Sequence, residues 1–229
     1  MRLRKQELRT SSFWRSQSAG NTGKTILVVT EGEKTEPIYL KALRNRLKLN
    51  AADIHIINAP GTDARTIVEE AISQRDQRKR DAKHGCTVPY DSVWAVFDTE
   101  RADTNPKLHD ALQLAKSRKI NVALSNPCFE FWILLHDELT TALFMNCAEV
   151  IRRIKINFNP GYNKSDLDVF EYLDKIPEAV RNSEYCRKHH SAAGTDGNPS
   201  TDVDLLVREL NDATRPHLQF NFDATRERS

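Results

Sequence analysis

Two short runs constrain this chain most. Ile26-Leu27-Val28-Val29 and Val93-Trp94-Ala95-Val96-Phe97 are almost wholly apolar and rich in β-branched residues. Each stops at acids: Thr30-Glu31-Gly32 after the first, Asp98-Thr99-Glu100 after the second. Runs of this length and composition suit strands buried on both faces, as in a parallel sheet.

The segments between them carry a helical period. From Pro37, Tyr39, Leu40, Leu43 and Leu47 share one face while Lys41, Arg44, Arg46 and Lys48 point away. A second strand is predicted at Ile54 to Ile57, a helix over 64–83, a helix from Pro106 to Ser117, and a fourth strand at Ile120 to Leu124. The order βαβαβαβ predicts an α/β fold with a mostly parallel four-stranded sheet flanked by helices. After Ser125-Asn126-Pro127, with Asn126 suited to an N-cap and Pro127 to the first helical position, Phe129 to Leu135 are apolar almost all round apart from Glu130. From about residue 146 the pattern is helical only.

The expected organisation is a flexible basic arm over 1–24, an α/β core over 25–145, a helical extension packed on the core over 146–215, and a tail over 216–229. The arm has Arg2, Arg4, Lys5, Arg9, Arg15 and Lys24 against one acid, Glu7, and no apolar period. Overall, 34 Lys and Arg face 32 Asp and Glu, so attraction to nucleic acid has to come from local patches. Arg75, Arg78, Lys79 and Arg80, at the basic end of the 64–83 helix, are the candidate nucleic-acid contact; a solvated surface is the ordinary alternative. The four cysteines form no CxxC pair, and no apolar stretch is long enough for a signal peptide or a membrane span. These features predict a reduced, cytoplasmic protein without a membrane partner.

Ligands of an open parallel α/β sheet gather at the carboxyl ends of its strands. Glu31 falls at one such end, with Glu33 and Glu36 close behind, and Asp98 and Glu100 fall at another. Crowded acids repel and raise one another's pKa unless cations compensate. An oxygen-rich set suits Mg²⁺ or Mn²⁺, ions able to activate water and stabilise charge on a phosphate. Exposed loop acids are the plain alternative. Two other signals are set aside. Cys186, His189 and His190 lack a second ligand pair for zinc, and Gly20-Asn21-Thr22-Gly23-Lys24-Thr25 precedes a strand where a phosphate-binding loop follows one.

Thr30-Glu31-Gly32-Glu33-Lys34-Thr35-Glu36-Pro37, Val96-Phe97-Asp98-Thr99-Glu100, Ser125-Asn126-Pro127-Cys128-Phe129-Glu130-Phe131-Trp132, Tyr162-Asn163-Lys164 and Asn198-Pro199-Ser200-Thr201 occur in this order. Together they resemble the signatures of the RloB family over about residues 25 to 210. That family is similar to TOPRIM domains, which pair a glutamate after the first strand with an Asp-x-Asp after a later one. The resemblance assigns those roles to Glu31 and Asp98. Glu100 stands where the second aspartate would, one methylene longer, and Asp103 is an alternative ligand. It implies catalytic roles for Glu31, Asp98, Glu100 and Lys164, the last a late lysine facing the scissile phosphate or a surface lysine. The metal set would be Glu31, Glu36, Asp98, Glu100, Asp103 and Glu130, with Glu130 either reaching the cation or favouring its helix N-terminus.

The implied activity is Mg²⁺- or Mn²⁺-dependent hydrolysis of nucleic-acid phosphodiester bonds, in RNA such as tRNA or in DNA, by the effector of a bacterial anti-phage or abortive-infection system. Nucleic acid and an ABC-type ATPase encoded nearby are the implied partners, and a homo-oligomer is among the assemblies left open. The competing reading is a non-catalytic TOPRIM-like module that binds the ATPase or nucleic acid within a defence complex.

Overall fold

A computed structural model describes residues 23–99, 106–195 and 197–223. Residues 1–22 of the expected basic arm (1–24) and residues 224–229 of the expected tail (216–229) therefore lie outside the described residues.

The sheet has strands β1 (Ile26–Thr30), β2 (Ile54–Asn58), β3 (Ser92–Asp98), β4 (Asn121–Asn126) and β5 (Ser200–Thr201), in the order β2-β1-β3-β4-β5. The first four are parallel and correspond to the four expected strands. The fifth is an addition. Ser200–Thr201 pairs antiparallel with Ser125 and Asn126 at the end of β4, in a region whose pattern is otherwise helical. Two residues carry no period that a sequence could display.

Side-chain alternation sorts β1 to β3 between two layers. Leu27, Val29, Val93, Ala95 and Phe97 meet Ile67, Val68 and Ala71 of α2 (Ala64–Lys83) and Ala111 and Ala115 of α3 (Pro106–Arg118). On the other face Ile26, Val28, Trp94 and Val96 join Tyr39, Leu40, Leu43 and Leu47, the predicted stripe of α1 (Thr35–Arg46) and the residue after it. The same layer takes in α4 (Glu130–Leu134), α5 (Cys147–Asn157), the short α6 (Phe170–Leu173), α7 (Ile176–Ala193) and α8 (Val203–Asp212). Phe129, Phe131, Trp132, Ile133, Leu134 and Leu135 are buried, as their all-round apolarity implies.

Three boundaries differ from the sequence pattern. Helix α1 begins at Thr35, two residues before Pro37, which buries Thr35 and Glu36 in its first turn. Helix α4 begins at Glu130; the Asn126–Pro127 peptide is cis, and the Asn126 amide reaches the Gly197 carbonyl. Residues 216–223 form a short 3-10 turn at Pro216–Leu218 and pack Phe220 and Phe222 against the core.

Buried polar groups tie the helical layer together. The Tyr39 hydroxyl meets His136 Nε2 at 2.9 Å, and burial lowers the His136 pKa to about 4, keeping it neutral. Fully buried Asp204, on α8, is held by Arg187 of α7 through both guanidinium nitrogens and by the Ser183 hydroxyl.

Candidate metal centre

Strands β1 and β3 are neighbours, so the acids following them meet at one edge of the sheet. The ladder continues past β1 through the Glu31 amide, which donates to Val96 O at 3.0 Å, and the Glu31 carboxylate accepts the Asp98 backbone N–H at 3.0 Å. Glu31 is thereby aimed across the strand ends at Asp98. The Thr30 hydroxyl donates to Gly32 O at 3.0 Å and fixes the intervening turn. At Gly32 a Cβ would fall onto the Glu36 carboxylate, so the absence of a side chain lets that acid turn in.

The helical layer completes the wall. Glu130 is buried, and its two oxygens have separate partners: Oε1 accepts from the Thr35 hydroxyl at 3.2 Å, and Oε2 lies 3.1 Å from Lys164 Nζ. The Tyr162 hydroxyl, beside Thr35, is buried without a hydrogen-bond partner among the described residues. Burial and the charge on Glu130 raise its pKa.

Electrostatics bind these groups into one cluster. The Asp98 carboxyl is pushed well above its ordinary value of 3.8, first by burial, then by the charges of Glu36, Glu31 and Glu130, with Lys164 opposing. Glu36 is raised by burial and by Glu130, against its own backbone amide and Lys164. Among the described residues, Lys164 is the cation that lies against Glu130 and whose charge opposes the acids at Asp98 and Glu36, so negative charge is concentrated here, a setting that favours cation uptake. The four carboxylates are oxygen donors, the kind that suits Mg²⁺ or Mn²⁺.

The sequence-derived candidates divide three ways. Glu31, Glu36, Asp98, Glu130 and Lys164 are brought together. Glu100 and Asp103 lie outside the described residues. Arg75, Arg78, Lys79 and Arg80 sit at the opposite end of the sheet: α2 starts at the carboxyl edge, and fourteen residues carry the chain about 20 Å along the helix to Arg78. There Arg78 donates to Val88 O at 2.7 Å and lies over the Tyr90 ring, and Arg75 bonds Asp76 and Arg118 O. Arg75 and Arg78 thus have structural partners ahead of β3 and β4.

The cysteines also differ from expectation. Cys128 and Cys147 form a disulfide with Cα atoms 5.6 Å apart, whereas Cys86 and Cys186 are free. Both sulfurs lie within 4.8 Å of a Glu130 oxygen and all three residues are buried; joined as a disulfide, the sulfurs supply no thiolate to a metal. These cysteines, Thr35 and Tyr162 were not singled out from sequence, although Cys128 and Tyr162 stand two residues before Glu130 and Lys164.

A family model of RloB-like proteins matches residues 26–210. The chain belongs to the RloB-like family. The matched span takes in Glu31, Asp98, Glu130 and Lys164, so the RloB-like region contains the whole described cluster. No curated protein and no solved structure matches the chain. Among the described residues, no helix is long and apolar enough to cross a membrane.

The cluster has a pH signature. A carboxyl whose folded pKa lies above its unfolded value stabilises the fold below the unfolded pKa, and that contribution is lost as pH rises through the folded pKa. The metal-free protein should therefore lose melting temperature as pH climbs from the ordinary carboxylate range through the raised Asp98 value. Asp98→Asn should flatten that loss and shrink the stabilisation by Mg²⁺ or Mn²⁺, which at a hundredfold excess over Kd is about 2.7 kcal/mol. Equal pH profiles and equal metal shifts in thermal melts of the two proteins would show that Asp98 is an ordinary loop acid.

Proposed function

We infer that this RloB-like protein is a TOPRIM-like, divalent-metal-dependent nuclease that hydrolyses phosphodiester bonds, in RNA such as tRNA or in DNA, as the effector of an anti-phage defence system. The observation that supports this reading most is the convergence of Glu31 and Asp98, with Glu36 and Glu130, at the carboxyl edge of a parallel sheet, with the Lys164 charge opposing them at Asp98.

Glu31, Asp98, Glu36 and Glu130 would hold the cation, with Glu100 and Asp103 as further candidates beyond the described residues. A bound divalent cation supplies positive charge at the phosphate and eases deprotonation of water. Glu31 contributes orientation, because its hydrogen bond to the Asp98 amide fixes the two carboxylates relative to each other before any ligand arrives. Lys164, about half exposed and paired with Glu130, is the group that would donate to a phosphate oxygen as charge develops there. No tyrosine or serine nucleophile is assigned, so hydrolysis without a covalent enzyme intermediate is expected.

The test is cleavage of labelled DNA and of total tRNA by purified protein with Mg²⁺ or Mn²⁺, alone and with a neighbouring ABC-type ATPase where one is encoded. Lys164→Ala should lower the rate at least tenfold while keeping the metal-induced rise in melting temperature, since its partner is the phosphate. Loss of the metal shift in Lys164→Ala would make the lysine a structural counter-ion. Absence of cleavage with every substrate and partner would favour a non-catalytic module that works through assembly.

A further inference from the structure

The Cys128–Cys147 bridge lies inside the acid–lysine cluster. Cys147 Sγ is 3.0 Å from Glu130 Oε2 and 3.5 Å from Lys164 Nζ, and that Nζ is 3.1 Å from the same Glu130 oxygen. Hydrogen bonding within this triangle depends on the oxidation state of sulfur. A disulfide sulfur carries no proton, so it faces the Glu130 oxygen as acceptor against acceptor. Among the described residues, the donor that reaches both atoms is the Lys164 ammonium, which is thereby held in place. A thiol at the same position donates its own S–H to Glu130, and the lysine is no longer required there.

We propose that Cys128 and Cys147 are a thiol–disulfide control site that determines whether Lys164 is held against Glu130 or released to solvent and substrate, and that it answers to small-molecule disulfides and dithiols. The inference rests on the reading of Lys164 as the phosphate-facing group. In the oxidising direction, the two protein thiols give two hydrogens to a disulfide such as oxidised glutathione. The Sγ–Sγ bond forms and the oxidant leaves as two thiols. In the reducing direction, a dithiol attacks through a mixed disulfide, returns two electrons and two protons to the protein, and departs as a cyclic disulfide. A reducing compartment keeps the pair as thiols and Lys164 available; oxidation pins the lysine.

The site is tested on the full chain equilibrated with dithiothreitol or with oxidised glutathione. Alkylation with mass analysis counts thiols, and peptide mass spectrometry reads the acetylation rate of Lys164 by an N-hydroxysuccinimide ester. Alkylated in denaturant after each equilibration, Cys128 and Cys147 should be labelled only after reduction, with exposed Cys86 labelled after dithiothreitol as an internal control. Lys164 should be acetylated severalfold faster in the reduced protein. Cys147→Ser, whose hydroxyl donates to Glu130 as a thiol does, should hold Lys164 at the faster rate under both conditions. Equal acetylation rates in the two states, or no Cys128–Cys147 disulfide under oxidised glutathione, would overturn the proposal. Labelling requires no nucleic acid, so the two readings fail separately. A redox-dependent Lys164 without metal-dependent cleavage retains the control site and sinks the nuclease. Cleavage with a redox-indifferent Lys164 does the reverse.

Discussion

Glu31→Gln should abolish metal-dependent cleavage, and toxicity in cells if the protein is toxic, while the protein stays folded. The amide keeps the volume and reach of the carboxylate, and its carbonyl oxygen can still accept the Asp98 backbone N–H across 3.0 Å. Only the negative charge is removed. That charge raises the Asp98 pKa and is one of the four that would hold a cation, so its loss relieves repulsion in the metal-free protein and weakens cation binding. A loss of at least a thousandfold in rate, about 4 kcal/mol of transition-state stabilisation, is the expected scale. Circular dichroism and a melting curve should show a protein at least as stable as the parent without metal. Full phage protection by folded Glu31→Gln would refute hydrolysis at this centre and favour assembly.

The second large effect is on stability and lies away from the acids. Arg187→Ala should lower stability by about 3 kcal/mol, or melting temperature by roughly 6–12 °C for a chain of this size. Arg187 contacts both Asp204 oxygens and donates to Thr201 O at 2.6 Å and to Ser183 Oγ at 2.9 Å. Removing it leaves the fully buried Asp204 with the Ser183 hydroxyl. Lysine restores the charge but not the fork, so Arg187→Lys should recover less than half of the loss. Urea titration checks both variants, and a change below 0.5 kcal/mol in Arg187→Ala would mean that water replaces the guanidinium. Because Thr201 pairs with Ser125 in β4, loosening this clamp should also slacken the turn that leads to Glu130.

What could be read from sequence follows physical range. Strands β1 and β3 were visible because burial on both faces requires uninterrupted apolar runs, and the acids were visible because they end those runs. Their meeting at one edge followed from parallel strands being neighbours. The partners of Glu130 were not visible. Thr35, Cys147 and Lys164 come from α1, α5 and the loop after α5, and nothing in their local pattern encodes a shared contact. The Cys128–Cys147 pair has a separation of 19 and no CxxC spacing, so only the folded path joins it. The basic run of α2 was legible as charge but not as location: its distance from the acids depends on helix direction. Thr201 is the strand residue of β5 and Asp204, three residues on, serves a buried ion pair, and neither role has a pattern in the local sequence.

Strand β5 also bears on synthesis. The described cluster draws on residues from Glu31 to Lys164, and the sheet edge beside β4 closes only with Ser200–Thr201. A polypeptide still emerging from the ribosome has its first acids in hand long before it has Lys164 or the closing strand. If the finished protein cuts nucleic acid, the emerging one cannot yet do so beside the transcripts and tRNAs around it. The order of segments along the chain would thus postpone that hazard until Thr201 has left the ribosome.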